Sequence, residues 1–234
     1  MNSMPLWIKI CANTSLGDVC VAAEAGADAV GFVFAPSPRR VTPDQVAKIV
    51  PHLPLGLEKI GVFVDSTFDE IEKTVRVCAL TGVQLHSDSG PEMTAQLRDR
   101  LGLELRILRV VHFGSNAAEQ AEALAQDPHI NGILVDSRTA TAIGGTGVSF
   151  DWAQARKTIF RDPPASTTHE PGPSNSGKHL IVAGGLNPVN VAEAIATLRP
   201  WGVDVASGVE ATPGRKDPAK IRAFVARARA AMWE

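Results

Sequence analysis

Short runs rich in valine, isoleucine and leucine alternate eight times with amphipathic segments along this chain. The runs occupy residues 7–10, 29–34, 59–64, 82–85, 105–110, 132–135, 179–182 and 203–205. Apolar runs without a polar face are typical of parallel strands that helices cover. The 234-residue chain therefore predicts one domain over residues 1–234, a closed (β/α)8 barrel, which typically needs roughly 250 residues. An open doubly wound sheet is the alternative.

Helix start signals support this alternation. Thr42, Asn187 and Asp217 each offer a capping oxygen, and each is followed by proline, which suits the first helical position. Apolar residues three and four positions apart predict helices over residues 16–25, 68–77 and 189–198.

One segment, residues 162–178, breaks the alternation. It is rich in proline, serine and threonine and nearly free of apolar residues, which predicts a flexible insertion between the sixth helix and the seventh strand. We expect it at the amino-terminal face of the barrel, away from the loops that carry the active sites of such barrels.

Composition argues against several partners and cofactors. The formal net charge is −2, without a dense lysine and arginine cluster, so we expect no nucleic acid and no membrane surface as partner. Three cysteines, Cys11, Cys20 and Cys78, follow neither a disulfide framework nor a metal pattern, which suits a reducing cytoplasm. Neither a signal peptide nor a membrane-spanning run is recognisable. Nucleotide fingerprints and metal-ligand spacings are also missing, which predicts chemistry without metal or organic cofactor.

Two groups that can transfer protons close predicted strands, Cys11 after the first and Asp136 after the sixth. The carboxyl ends of parallel strands carry the chemistry of α/β barrels. A thiolate at Cys11 could act as a general base, and a buried Asp136 would need a partner or a substrate. A purely apolar role for Cys11 and a helix cap at Asp136 are the alternatives.

The remaining candidates lie on turns after strands. Glycine-rich turns at residues 144–147, 184–185 and 207–208 follow the last three strands, and glycine lets backbone amides approach an oxyanion. We interpret them as a phosphate site, with plain tight turns as the alternative. Arg39 or Arg40 could clamp a carboxylate or a phosphate, or both could be solvated. His86 ends the fourth strand and is more often a loop histidine than a base.

Several segments together resemble the phosphoribosylanthranilate isomerase family of tryptophan biosynthesis. They are Lys9-Ile10-Cys11, residues 26–34, Ser37-Pro38-Arg39, residues 61–64, 83–86, 144–147, 150–152 and 183–188, and the stretch from Val203 to Glu210. The segments follow the family's order over nearly the whole chain. Each is weak alone, and their combination is specific.

The resemblance implies a cofactor-free Amadori rearrangement on a (β/α)8 barrel. Asp136 would be the general acid that opens the furanose ring, and Cys11 the general base that removes the C2′ proton. Arg39 would pair with the anthranilate carboxylate. The implied substrate-binding residues are Arg39, His86, Gly145, Gly147, Gly184, Gly185, Asp204, Ser207 and Gly208. The partner would be a small phosphoribosyl molecule, and the chain a monomer or a homodimer.

Two departures and three rival functions qualify the resemblance. Ala12 replaces the family's usual glycine and restricts the backbone beside Cys11, while Ala206 replaces a serine near the phosphate. A histidine-pathway isomerase would carry aspartate in place of Cys11. An indole-glycerol-phosphate synthase needs catalytic lysines inside the barrel, and we expect Lys9 and Lys59 to be poorly placed for that. An inactive barrel that only binds phosphosugars is the third rival.

Overall fold

The computed structural model describes residues 6–86, 90–137, 151–161, 174–175 and 177–231 of the chain. The strands are β1 (Trp7–Ile10), β2 (Ala29–Val33), β3 (Glu58–Phe63), β4 (Gly82–Leu85), β5 (Arg106–His112), β6 (Gly132–Asp136), β7 (Ser174–Asn175), β8 (Lys178–Val182), β9 (Gly202–Val205), β10 (Glu210–Thr212) and β11 (Arg215–Lys216). The α-helices are α1 (Leu16–Glu24), α2 (Pro43–Ile49), α3 (Phe68–Val77), α4 (Pro91–Leu101), α5 (Ala117–Ala125), α6 (Trp152–Thr158), α7 (Val191–Leu198) and α8 (Pro218–Ala230). Two 3₁₀ turns lie at Val50–His52 and Ser207–Val209.

Eight of these strands form a closed parallel barrel. Strands β1 to β6 pair in sequence order, β9 pairs with β1 and β8, and β8 pairs with β6, which closes the ring. The predicted single-domain (β/α)8 barrel is confirmed. The open doubly wound sheet is ruled out, because an open sheet would leave two of these strands with an unpaired edge.

Helix caps follow the sequence at two of the three predicted positions. Thr42 caps α2 and shares a capping box with Gln45, while Asp217 caps α8 by accepting from two backbone N–H groups. Thr67 and Glu70 form a second capping box at α3, which spans the predicted residues 68–77. Such caps satisfy N–H groups that the first helical turn leaves without partners.

The predicted cap at Asn187 is wrong. Helix α7 begins at Val191, two residues after the predicted start, and its N-cap residue is Asn190, three residues after the predicted cap. The Asn187 side chain instead accepts from the N–H groups of Val189 and Asn190, at 2.7 and 3.2 Å. It therefore closes a local turn ahead of the helix, a common use of asparagine side chains.

Side chains of β1 alternate between the helix layer and the barrel axis, as in any strand. Ile8 and Ile10 are fully buried between barrel and helices, whereas Trp7 packs in the barrel interior. The apolar floor of the interior also contains Ala29, Ile60, Leu108, Leu134 and Ile181. Lys9 follows Trp7 on the same side of β1, and Cys11 follows Lys9. The interior thus changes from apolar to polar toward the carboxyl ends of the strands.

The end of the predicted insertion contributes to the sheet. Ser174 and Asn175 of β7 pair antiparallel with His179 and Lys178 at the start of β8. This places them at the amino-terminal end of the barrel strands, where the insertion was expected. Residues 162–173 and 176 lie outside the described residues, so the flexibility of the insertion stays a prediction. No helix in the described ranges is long and apolar enough to cross a membrane.

Ala12 adopts a backbone conformation that suits glycine. Its φ is 60°, in the left-handed region, and its side chain is buried next to Cys11. For an L-residue this conformation brings Cβ close to the following carbonyl oxygen, at a cost of about 1–2 kcal/mol. The strain therefore lies directly beside one of the candidate proton-transfer groups.

We expect Ala12→Gly to raise the free energy of unfolding by about 0.5–1 kcal/mol, because relief of this strain exceeds the added entropy of the unfolded chain. Urea denaturation measures the change. Ala25→Gly is the matched control, since Ala25 has an ordinary φ of −71° at the end of α1 and should lose stability. A decrease in stability for Ala12→Gly would contradict the strain argument.

Candidate active site

A cavity of about 240 Å³ opens at the carboxyl ends of the barrel strands. The predicted site residues that line it are Cys11, Arg39, His86, Asp136, Gly184, Gly185, Asp204 and Ser207. Gly208 follows Ser207 in the same 3₁₀ turn. Gly145 and Gly147 lie outside the described residues. Side chains and turns from distant parts of the sequence therefore meet at the edge where barrel enzymes carry out their chemistry.

Cys11 lies one residue beyond the end of β1 and faces this cavity. Its N–H donates to the carbonyl of Val205 at 2.7 Å, which fixes it against β9. The residue is only 6% exposed. Burial raises the pKa of the Cys11 thiol, and the positive charge of Lys9 opposes that rise. The amount of reactive thiolate therefore depends on the charges placed around it.

Asp136 ends β6 and is almost fully buried. It stands opposite His112 of β5 in the strand register, and its carbonyl accepts from the N–H of Phe113 at 2.8 Å. A Cβ atom on Gly184, whose φ is 78°, would lie 2.5 Å from Asp136 Oδ1. The carboxyl group is thus packed against a turn that only glycine can form without strain.

A buried polar network lies on the barrel side of Cys11. Lys9 Nζ donates to Asp204 Oδ1 at 2.9 Å and to Gln84 Oε1 at 2.7 Å. Gln84 Nε2 is 2.8 Å from His86 Nε2, so neutral His86 accepts there and carries its proton on Nδ1. Burial would lower the pKa of Lys9, but the Asp204 carboxylate outweighs it and the pKa is raised. Lys9 is therefore an ammonium ion inside the barrel.

The expectation that Lys9 is poorly placed for the barrel interior is wrong. Its side chain is fully buried there, because it shares the inward face of β1 with Trp7 and Cys11. Lys59 does lie on the outer face of β3, since its neighbour Ile60 points inward. Side chains alternate between the two faces of a strand, so the inward direction of Cys11 indicates that Lys9, two residues earlier, also points inward.

Arg39 is held in place by Glu210. Its Nε and Nη2 donate to the two carboxylate oxygens at 2.8 and 2.7 Å. Lys216 Nζ lies 3.4 Å from the same carboxylate and donates to the Ala206 carbonyl at 2.9 Å. Burial would raise the pKa of Glu210, but Arg39 and Lys216 outweigh it and the pKa is lowered. One edge of the guanidinium is thus occupied, and Nη1 makes no hydrogen bond within the part of the chain that the structure describes. Arg40 is exposed.

The two described glycine turns lie side by side. Gly184 and Gly185 have φ values of 78° and 63°. Ser207 and Gly208 form a 3₁₀ turn, and a Cβ atom on Gly208 would collide with the Leu186 carbonyl. The two turns after β8 and β9 therefore pack closely enough that side chains are not tolerated between them. Backbone amides in such turns can surround an oxyanion.

Sequence reasoning missed several residues of this site. His112 ends β5, lines the cavity and lies 5.9 Å from the His86 ring, and its buried Nδ1 has no hydrogen bond within the described part of the chain. Gln84 could have been found, because it shares a strand face with His86. The role of Glu210 carried no local signal, since its partner Arg39 is 171 positions away, and Lys216 belongs to the site only through Glu210.

Gly31 of β2 has no side chain, and Cys11 and Lys9 occupy the space that a side chain there would fill. A Cβ atom at Gly31 would lie 2.6 Å from Cys11 Sγ and 3.0 Å from Lys9 Cε. We expect Gly31→Ala to lower the free energy of unfolding by about 1–3 kcal/mol through overpacking. Gly56→Ala is the control, because nothing lies within 4 Å of a Cβ atom there. Equal urea denaturation curves for both variants would refute this close packing.

Comparison with known proteins identifies the architecture. Residues 8–227 match the family described as PRAI, N-(5′phosphoribosyl)anthranilate (PRA) isomerase. The N-(5′-phosphoribosyl)anthranilate isomerase of Trichlorobacter lovleyi is 38% identical over 226 residues, which cover 96% of this chain and 98% of that relative. The crystal structure of phosphoribosyl anthranilate isomerase from Thermotoga maritima has a TM-score of 0.81 at 32% identity, covering 96% of this chain and 99% of that one.

A second solved structure is a phosphoribosyl anthranilate isomerase in complex with reduced 1-(o-carboxyphenylamino)-1-deoxyribulose 5-phosphate. Its TM-score is 0.77 at 31% identity, and the match covers 96% of this chain and 99% of that one. The family match runs from β1 into α8 and so includes every described strand end that lines the cavity. The chain belongs to the N-(5′-phosphoribosyl)anthranilate isomerase family.

Proposed function

We propose that Asp136 is the acid and Cys11 the base in the isomerisation of N-(5′-phosphoribosyl)anthranilate to 1-(2-carboxyphenylamino)-1-deoxyribulose 5-phosphate. As a member of this family, the chain is an aldose–ketose isomerase of tryptophan biosynthesis. The observation that carries the two roles is that both side chains line one cavity at the carboxyl ends of β1 and β6. An isomerase of this type needs two groups with opposite protonation states.

The first step is acid-catalysed ring opening. Protonated Asp136 donates to the furanose ring oxygen, and the bond from that oxygen to C1′ breaks with its electron pair going to the oxygen. The lone pair of the anthranilate nitrogen forms a double bond to C1′, which gives a protonated imine. The buried position of Asp136 excludes bulk water, so the proton goes to the bound substrate.

The second step is removal of a carbon-bound proton. The protonated imine acidifies the C2′ proton, and the Cys11 thiolate accepts it. The electron pair of the C2′–H bond forms the C1′–C2′ double bond, and the imine electrons return to nitrogen. The resulting enolamine takes up a proton at C1′ while its C2′ hydroxyl group loses one, which gives the amino ketone. Oxidation at C2′ matches reduction at C1′, so no external oxidant or reductant is consumed.

The remaining predicted residues bind the two anionic ends of the substrate. Arg39 offers the Nη1 edge of its guanidinium to the anthranilate carboxylate, while Glu210 fixes the opposite edge. The turns at residues 184–185 and 207–208 offer backbone amides to the phosphate, and we assign Gly145 and Gly147 to the same role. His86 and Asp204 line the cavity between these ends and contact the ribose portion.

Turnover of the purified chain tests this assignment through the fluorescence of the anthranilate group. Cys11→Ser should slow turnover at least about 10²-fold, because a hydroxyl is a far weaker acid than a thiol. Asp136→Asn should abolish turnover, because an amide cannot donate the required proton, while binding of a product analogue stays within about tenfold. The matched control is Cys20→Ser on α1, which lies outside the cavity.

The pH dependence provides a second readout of the base. Because burial raises the pKa of Cys11, kcat/KM should increase with pH through and above the usual range of a thiol. Near-normal turnover in Cys11→Ser would make the cysteine structural, with His86 as the next candidate base. A wild-type chain that binds a product analogue without turnover would instead support the inactive binding barrel.

Arg39→Ala should raise KM more than Arg40→Ala, because Arg39 lines the cavity and Arg40 is exposed to solvent. Arg39→Lys should also raise KM, since lysine keeps the charge but loses the planar fork that bridges Glu210 and a carboxylate. Steady-state kinetics of the three variants measure the effect. A large rise in KM for Arg40→Ala with none for Arg39→Ala would show that Arg40, and not Arg39, contacts the carboxylate.

Partner and compartment assignments go beyond the family match. We propose a small phosphoribosyl substrate as the partner, no binding of nucleic acid, and a monomer or a homodimer in the cytoplasm. Light scattering of the purified chain determines its oligomeric state. Turnover measured with a histidine-pathway substrate tests whether the same cavity accepts a second phosphoribosyl compound.

A further inference from the structure

Lys9 is the charged group whose position the proposed reaction does not explain. It has no solvent exposure and is among the largest fully buried side chains of the described chain. Lysine is almost never fully buried unless it is paired, because removal of its charge from water is costly. Asp204 and Gln84 accept from its Nζ at 2.9 and 2.7 Å, so the ammonium ion is both neutralised and held in one orientation.

The position of Lys9 brings its charge close to Cys11. The two residues share the inward face of β1, and both pack over Gly31 of the neighbouring strand. Cys11 Sγ and Lys9 Cε lie 2.6 and 3.0 Å from the same point, where a Cβ atom of Gly31 would be. An opposite charge within about 4–6 Å shifts an ionisation equilibrium by roughly one to three pH units, and the charge of Lys9 acts on the Cys11 thiol in the direction that lowers its pKa.

Charged groups of both signs surround Cys11. The charged groups packed around Cys11 are Lys9, Lys216 and Arg39 with positive charge, and Asp204 and Glu210 with negative charge. The other titratable groups that line the cavity are His86, His112 and Asp136. Burial lowers the pKa of Lys216, whereas the Asp204 carboxylate keeps the pKa of Lys9 raised. Lys9 therefore carries the more stable positive charge beside Cys11.

We propose that Lys9 is a positioning residue for the base, whose ammonium charge stabilises the thiolate of Cys11 and whose orientation is fixed by Gln84 and Asp204. The proposal rests on the proposed role of Cys11. Burial by itself favours the neutral thiol, so a fixed charge on the barrel side is what allows a buried cysteine to act as a base.

Alkylation of Cys11 by iodoacetamide across pH 7 to 11 tests the proposal, because only the thiolate reacts. Mass spectrometry of the Cys11 peptide gives the pH of half-maximal rate, with Cys20 as an internal reference. We expect Lys9→Met to move this midpoint upward by about one unit or more. The rising limb of the kcat profile should move with it. Lys59→Met is the matched control, because it removes a lysine from the outer face of β3.

A second variant keeps the test informative if Lys9→Met does not fold. Lys9→Gln removes the charge but keeps an N–H donor for Asp204, and its midpoint should rise as in Lys9→Met. An unchanged midpoint in either folded variant would overturn the proposal. Failure of both variants to fold would also overturn it, because Lys9 would then be a structural residue. These outcomes are independent of turnover, whereas near-normal activity of Cys11→Ser would overturn the proposed function itself.

Discussion

The barrel depends on accommodating a fully buried ammonium ion near its axis. Lys9 of β1 pairs in register with Asp204 of β9, and Gln84 of β4 supplies the second acceptor. A buried charge that loses one partner is strongly destabilising, so this contact constrains how three strands are placed around the axis. The carboxyl ends of the same strands carry Cys11 and the cavity above it.

A second group of charges constrains the rim of the cavity. Glu210 binds Arg39 through both oxygens and also faces Lys216, so the loop after β2 is tied to the segment after β9. The pair fixes one edge of the guanidinium and leaves the other edge for an anion. In the proposed substrate complex, binding at this end uses a preorganised group, while the turns at residues 184–185 and 207–208 would supply backbone amides at the other end.

Most of the fold followed from the sequence, and part of the site did not. The alternation of apolar runs and amphipathic segments predicted the barrel, and the strand bounds differ from the prediction by at most two residues. Cys11, Asp136 and Arg39 were predicted because each closes or follows a strand, and all three line the cavity. Lys9 was misplaced, since a lysine in an apolar run is usually taken for a solvent-directed side chain. His112 lies beyond the predicted end of its strand.

The sequence by itself determined where the barrel strands and most of the helices lie, because these depend on neighbours two to four positions away. Only the tertiary structure decided which charged groups meet. Arg39 and Glu210 are 171 positions apart, and Lys9 and Asp204 are 195 apart. Such pairs form because closure of the barrel brings the first strands and their loops next to the last barrel strand and the segment that follows it, and no local pattern encodes that distance.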